Sequence, residues 1–214
     1  MVFSGKILNK KEQQEIKERV EEFENATGAE LVLAIAHESD PYPGSVLRVS
    51  IFFALFATLL LSYFVEFSYP YLYVLSQFIF TFLFLPLGRI NAVKSLALVD
   101  SEVDREVSEK AVEVFFTYCS EKSGHSNEAL IYTSLFEKKI EVLVGTNLKE
   151  RLSQNDLEEV VSIIKDDFSH KNYLQAYRRA IASLEEKVKL RFPDKVSDLG
   201  ADDLSNDIIW IKNA

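Results

Sequence analysis

The sequence has few of the residues on which many functional sites depend. Its 214 residues include one cysteine, three histidines and seven glycines. A single cysteine, Cys119, excludes an internal disulfide, and His37, His125 and His170 form no paired metal-binding motif. No phosphate-binding glycine loop and no Gly-x-Ser-x-Gly motif occur. The common signatures of zinc hydrolases, nucleotide-binding proteins and serine hydrolases are therefore absent.

Positive charge is also scarce. The chain has 24 lysines and arginines against 33 aspartates and glutamates, a net charge of −9 at pH 7. Proteins that bind nucleic acid present a basic face to the phosphate backbone. We therefore expect no nucleic-acid partner.

Charge is almost absent from residues 49–88, where Glu66 is the only charged residue. The arms on either side of Glu66 are apolar on every face, unlike the amphipathic helices of soluble domains. At a rise of about 1.5 Å per residue, each arm approaches the ~30 Å thickness of a bilayer. The pattern predicts a transmembrane hairpin with spans at about 46–65 and 69–88, in preference to a buried soluble hairpin or a cleaved signal peptide.

Aromatic and basic residues mark the two ends of this hairpin. Tyr63, Tyr69 and Tyr71 lie near the connection, where amphipathic rings prefer the membrane interface. Arg48 and Arg89 lie at the opposite end, and positive charge favours the cytoplasmic side. We therefore predict a two-span protein of a bacterial-type inner (plasma) membrane, with the soluble domain and both termini in the cytoplasm.

Helical and strand patterns are clear outside the hairpin. A capping box at Asn9 and Glu12 and a terminal Gly28 predict a helix over residues 9–26. Three more helices are predicted, one starting near Ser101 and ending near residue 122, one capped by Ser153 and Asp156, and one containing Tyr173 to Val188. The predicted strands are Glu30 to Ala36, Glu128 to Leu135 and Ile140 to Val144. This order predicts an α/β fold with a small mixed β-sheet between helix layers.

The hairpin is predicted to interrupt this domain at a surface loop. The first part of the domain covers residues 1–40, the hairpin insert 41–98 and the second part 99–192. An acidic tail, 193–214, ends in the apolar cluster Ile208, Ile209, Trp210 and Ile211. This cluster either folds back on the domain or binds a partner, and deleting residues 205–214 would distinguish the two.

Three stretches resemble a known family. The first is EFENATGAELVLAIA (Glu22 to Ala36), the second SNEALIYTSLFEKKIEVLVGTNLKERL (Ser126 to Leu152) and the third DDFSHKNYLQAYRRAIA (Asp166 to Ala182). Together they resemble the TPM domain, named for thylakoid, photosystem-repair and receptor-modulator proteins. The resemblance implies an α/β/α sandwich. It also implies either a metal-binding acid phosphatase or a repair, assembly or chaperone-adaptor protein.

The resemblance also directs attention to two turns. Many family members have an Asp-Asn-Gly turn before the second strand, where this chain has Ser126, Asn127 and Glu128. After the third strand, Gly145 is retained and is followed by Thr146 and Asn147. A divalent cation such as calcium or magnesium prefers several oxygen ligands. The remaining candidates for its ligands are Asn127, Glu128, Asn147 and Asp156.

These observations lead to one functional hypothesis and two alternatives. The first is a membrane-anchored, non-catalytic binding or adaptor module in a membrane-associated protein assembly, with the lipid bilayer and a membrane protein as partners. The alternative is a divalent-metal-dependent acid phosphatase, against which the changed Asp-Asn-Gly turn counts. A third possibility is a domain that only organises homo-oligomers.

Overall fold

The structure is a computed structural model that describes residues 7–119, 127–170, 172–193 and 204–211. The chain divides into two compact units, Met1–Ser39 with Asp104–Ala214 and Asp40–Val103. In chain order, its elements are α1 (Lys10–Thr27), β1 (Glu30–Ala36), α2 (Pro43–Phe64), α3 (Tyr71–Gly88), α4 (Asn91–Lys94), a 3-10 turn (Ser95–Ala97), α5 (Asp100–Tyr118), β2 (Glu128–Ser134), β3 (Lys139–Val144), α6 (Thr146–Arg151), α7 (Gln154–Ser169), α8 (Tyr173–Arg191) and β4 (Ile209–Ile211).

The first unit contains a four-stranded mixed sheet in the order β3-β2-β1-β4. Strand β1 pairs in parallel with β2 from Glu30 opposite Glu128 to Ala36 opposite Ser134. Strand β3 is antiparallel to β2, and β4 is parallel to β1. The predicted mixed sheet is confirmed, and β1 is a central strand.

Helices cover both faces of this sheet. Successive residues of a strand point to opposite sides, so the apolar strands β1 and β2 present an apolar surface on each face. On one face, Leu33 of β1 and Ile131 of β2 belong to a core that includes residues of α1, α7 and α8. On the other face, Val32 and Leu130 are also buried. Helix α5 contributes the buried residues Val107, Ala111 and Val114. The predicted α/β/α sandwich is thus confirmed.

Local sequence signals fix several helix ends. The Glu12 amide donates to Asn9 Oδ1 at 3.0 Å, and the Asn9 amide donates to Glu12 Oε2 at 2.6 Å, which completes a capping box. Gly28 ends α1 with φ of 72°, a left-handed conformation that glycine adopts without strain. Ser153 and Asp156 form the same box at the start of α7. Helix α5 begins at Asp100, one residue before the start predicted near Ser101.

The second unit is dominated by α2 and α3, which are long and apolar enough to cross a membrane. Ser50 Oγ donates to Val46 O at 2.7 Å and lies 3.3 Å from Phe84 O of the facing helix. A Cβ on Gly88 would lie 2.7 Å from Val46 O and 2.9 Å from Ser50 Oγ. The absence of a side chain at Gly88 therefore permits the close approach of the two helices.

In the described part of the first unit, two elements lie outside the predicted order. Helix α6 follows Gly145 directly and is too short for a periodic signal. Strand β4 comes from the apolar cluster of the tail, where Ile209–Ile211 pair with Ala34–Ala36 of β1. The cluster therefore folds back on the domain, as one of its two interpretations predicted.

Candidate functional site

Two of the predicted ligand residues meet at one end of the sheet. Because β2 and β3 are antiparallel, the start of β2 lies beside the end of β3, and the Gly145 amide donates to Glu128 O at 2.7 Å. This places Asn127 beside the first turn of α6. Asn147 Nδ2 donates to Asn127 Oδ1 at 2.6 Å. The two amides thus form a short bridge between the two turns.

Glu128 lies next to this bridge but in a buried position. Its side chain is 1% exposed, and its register partner on β1 is Glu30. Burial, together with the negative charge of Glu128, raises the pKa of the Cys119 thiol to about 12. Cys119 is itself fully buried and outside any disulfide. It is therefore a core thiol, as its place in the helical pattern indicated, and not an activated nucleophile.

The Asp156 carboxylate caps a helix and forms ion pairs. Its Oδ2 accepts from Ser153 Oγ at 2.7 Å and from the Ser153 amide at 2.9 Å, at the start of α7. It also lies 3.4 Å from Arg191 Nη2 and 3.9 Å from Lys187 Nζ. The hydrogen bonds from Ser153, and then the two cations, hold the pKa of Asp156 below its ordinary value. None of these contacts involves Asn127, Glu128 or Asn147.

This arrangement does not fit a divalent cation. Calcium takes six to eight oxygen ligands and magnesium requires an octahedral set. Here Asn127 Oδ1 accepts the hydrogen bond of Asn147, and Asp156 caps α7. Across the described residues, no group of three or more His, Cys, Asp and Glu side chains could hold a metal ion. His37 and His170 are exposed, whereas Ser126 and His125 lie outside the described residues.

The opposite end of β2 carries a polar network that the sequence did not indicate. The Ser39 amide donates to Glu137 Oε1 at 2.8 Å, and Ser134 Oγ donates to Glu137 Oε2. Ser39 Oγ lies 2.9 Å from the Tyr132 hydroxyl. Burial is the main cause that raises the pKa of Tyr132 to about 12, so the phenol stays protonated and available as a donor. This network fixes the β2–β3 turn against the end of β1.

A cleft of about 650 Å³ opens beside that turn. Its lining includes Lys138 from the turn, Lys139 from the start of β3 and Lys165 from α7. In the sequence the two adjacent lysines resemble ordinary turn residues, and Lys165 is one of many charges on α7. Only the fold brings the three together, so sequence patterns alone could not identify them.

The residues predicted at the membrane interface occupy the two ends of the helical hairpin. Tyr63, Tyr69 and Tyr71 lie around the connection between α2 and α3, and all three are exposed. The rings of Tyr69 and Tyr71 stack at 5.5 Å. Arg89 follows the last residue of α3, and Arg48 forms an ion pair with Glu102.

The tail cluster packs on the sheet domain. Ile208 and Trp210 contact the hydrophobic core from partly buried positions, while Ile209 and Ile211 share β4 with Trp210. Lys17 of α1 pairs with Asp207 at 3.0 Å. Partner binding by Ile208, Ile209, Trp210 and Ile211 stays a prediction.

Comparison with known proteins identifies a matching family model and a similar solved structure. Residues 91–187 match the family model of the TPM domain. The chain is also similar to the NMR structure of the BA42 protein from the psychrophilic bacterium Bizionia argentinensis, at 15% sequence identity and a TM-score of 0.58. That alignment covers 99% of this chain and 100% of the other. At this identity the likeness shows the fold alone. No curated protein matches the sequence.

Proposed function

Because this chain contains a TPM domain, we propose that it is a membrane-anchored, non-catalytic adaptor in a membrane-associated protein assembly. The α2–α3 hairpin is the anchor, in a bacterial-type plasma membrane. The TPM domain and both termini face the cytoplasm. The partner is a membrane protein.

The surface of the hairpin supports anchoring. Large apolar side chains on α2 and α3 are more than half exposed, among them Phe52, Phe56, Leu59, Phe78, Phe82 and Leu83. Water is a poor solvent for so much contiguous apolar surface, whereas lipid chains cover it without cost. Glu66, the single charged residue of 49–88, lies in the connection between the helices. The apolar arms themselves contain no charge.

The structural role of the Asp156 carboxylate is the main support for the non-catalytic part of the proposal. A catalytic metal needs carboxylates that converge on it. The Asp156 carboxylate instead caps α7 and pairs with Lys187 and Arg191. Asn127 and Asn147 satisfy each other. These side chains stabilise the fold, which favours a binding role over a hydrolytic one.

Helix α5 supplies an exposed apolar pair that suits protein binding. Val112 is 40% exposed and Phe116 is 57% exposed. Residues four apart lie on the same face of a helix, so the two side chains form one surface strip. Exposed aromatic residues are enriched where proteins bind each other.

Photo-crosslinking in native membranes tests the adaptor role. Benzoylphenylalanine replaces Phe116, a substitution of one aromatic residue for another, and the matched control places it at the exposed Glu109 of the same helix. We expect the Phe116 variant to give a discrete crosslink to another membrane protein that the Glu109 variant does not give. Self-products alone would overturn the adaptor role in favour of a homo-oligomer.

A metal titration tests the alternative, a divalent-metal-dependent phosphatase. A ligand at 100 times its Kd stabilises a protein by about 2.7 kcal/mol. We expect no saturable rise in the melting temperature of the detergent-solubilised full chain with calcium, magnesium, manganese or zinc. A saturable rise that Asn127→Ala or Asn147→Ala abolishes, together with hydrolysis of a phosphate ester, would contradict the non-catalytic proposal.

A further inference from the structure

The cleft beside the β2–β3 turn has a charge opposite to that of the chain as a whole. Its described lining contains three lysines, Lys138, Lys139 and Lys165, and no acidic side chain, whereas the protein has a net charge of −9. Like charges repel, so lysines that line one cleft are favoured when an anion lies between them. The cleft therefore selects for negative charge.

Two of these lysines are available to a ligand. Lys139 pairs with Asp104 of α5 at 2.7 Å. Within the described residues, Lys138 and Lys165 form no ion pair shorter than 4.0 Å. Glu141 lies close enough to Lys165 for the lysine charge to act on the pKa of the glutamate. Both side chains are exposed at the mouth of the cleft. A lysine ammonium is a compact charge on a flexible stem that can adjust to an incoming anion.

A buried hydroxyl group adds a fixed donor. Thr133 lines the cleft and is 1% exposed. Its Oγ1 accepts a hydrogen bond from the Tyr177 hydroxyl at 2.9 Å. Because that oxygen is the acceptor there, its own proton is free to point elsewhere, and a ligand oxygen in the cleft can receive it. The bond from Tyr177 thus leaves the Thr133 proton available for donation.

The remaining wall is apolar and aromatic. Phe168 and Tyr173 meet edge to face at a centroid distance of 4.8 Å, and Leu135 and Ile140 also line the space. A volume of about 650 Å³ lies within the range of about 300 to 1,000 Å³ that is typical of small-molecule sites. Inorganic anions would leave most of this apolar wall uncovered. An organic body of one or two rings would cover it.

We propose that this cleft binds a small organic anion, with a carboxylate or phosphate between Lys138 and Lys165 and an aromatic or short aliphatic body against Phe168 and Tyr173. This inference goes beyond the adaptor role and is independent of it. The cleft requires neither a metal ion nor the Asn127–Asn147 bridge.

A matched pair of probes tests the proposal on the full chain in phosphatidylcholine nanodiscs. The probes are 2-naphthoate and 2-naphthamide, which share their ring system and differ in charge. Isothermal titration calorimetry, with empty nanodiscs as the blank, measures binding in buffer that contains EDTA. We expect saturable binding of one 2-naphthoate per chain and binding of 2-naphthamide that is at least tenfold weaker. 1-Naphthyl phosphate should bind at least as tightly as 2-naphthoate, and inorganic phosphate at least tenfold more weakly.

Variants locate the binding in the cleft. The double variant Lys138→Gln/Lys165→Gln should weaken 2-naphthoate binding at least tenfold, because both replaced groups are cations at the mouth. Lys11→Gln removes an exposed lysine of α1 and should change binding less than twofold. Both lysines of the double variant are exposed, so its melting temperature should match that of the unmodified chain.

Three results would overturn the proposal. These are no saturable binding of either naphthyl anion, equal binding of 2-naphthoate and 2-naphthamide, or unchanged 2-naphthoate binding in the folded double variant. The first two use the unmodified chain and so do not depend on the folding of any variant. Failure of the crosslinking at Phe116 leaves all of these measurements unaffected.

Discussion

The hydroxyl of Tyr177 on α8 donates to Thr133 Oγ1 on β2 at 2.9 Å, in a position where both residues are buried. This bond ties a helix to the central sheet. Burial raises the pKa of Tyr177, so the phenol remains a donor throughout the ordinary pH range.

Loss of this donor should destabilise the domain. Tyr177→Phe leaves the buried Thr133 oxygen without its donor, and we expect a loss of about 1 to 3 kcal/mol in the free energy of unfolding. Tyr177→Phe/Thr133→Val removes both groups and should cost less than the sum of the two single variants. Urea unfolding followed by circular dichroism measures each value. An additive double variant would show that the bond contributes nothing.

Stability should depend on pH through Glu141 of β3. Burial, the main cause, raises the pKa of Glu141 above its ordinary value. The folded state therefore holds this proton more tightly than the unfolded state, and stability falls as pH rises from the ordinary pKa through the folded one. Glu141→Gln should remove this loss and stabilise the protein at pH 7 by less than about 1 kcal/mol, because solvent screens this half-buried charge, with a smaller gain at pH 4. Unfolding free energies of both chains at the two pH values check this. Glu150→Gln, at an exposed position, is the control for charge removal.

The helical hairpin should tolerate a methyl group at one glycine and not at another. Gly88→Ala places Cβ within 2.7 Å of Val46 O, and overpacking of this kind costs about 1 to 3 kcal/mol. Gly44→Ala meets its nearest neighbour, Arg48 Nη2, at 3.4 Å and should be neutral or stabilising by up to about 1 kcal/mol. Unfolding in mixed micelles of increasing dodecyl sulfate content compares the two variants. Equal stability of both would show that the helices do not approach closely at Gly88.

The end of the chain should stabilise the sheet domain. Removal of residues 205–214 exposes the core surface under Ile208 and Trp210 and deletes the Lys17–Asp207 ion pair. Both apolar side chains are only partly buried, so we expect a loss of about 2 kcal/mol. Trp210→Ala should account for most of it, and Lys17→Gln should cost much less because solvent screens an exposed ion pair. An unchanged melting temperature would instead favour the partner-binding interpretation of Ile208 to Ile211.

Cysteine labelling tests the proposed orientation without removal of Cys119. That thiol is buried and its pKa is raised to about 12, so a maleimide should not modify it in the folded protein. In intact cells, a membrane-impermeant maleimide should label Ser68→Cys in the α2–α3 connection. Lys11→Cys should be labelled only after the membrane is opened. The reverse pattern would place the connection in the cytoplasm.

Much of the fold could be predicted because its signals are local. The capping boxes at Asn9 and Ser153 and the left-handed Gly28 act within three or four residues, and the structure contains all three. The nearly continuous apolar run Glu30–Ala36 indicated a strand covered on both faces, and β1 is central. Helix boundaries are less exact, since Asp100 begins α5 one residue before the start predicted near Ser101.

Less of the candidate site could be predicted from the sequence. The pairing of Asn147 with Asn127 depends on the antiparallel register of β2 and β3, which brings together residues twenty positions apart. Asp156 carries the same sequence signal whether its carboxylate serves a cap or a ligand set. The structure assigns it to the cap. Long-range geometry decided between the two uses.

The sequence by itself determined the type of each segment: an uncharged pair of apolar arms in residues 49–88, amphipathic helices and short buried strands. These properties depend on the periodicity and chemistry of neighbouring residues. Only the tertiary structure decided which distant groups meet: Lys165 with Lys138 and Lys139, Gly88 with Val46, and Ile209–Ile211 with Ala34–Ala36. Such contacts follow from the packing of whole elements, and no local pattern encodes them.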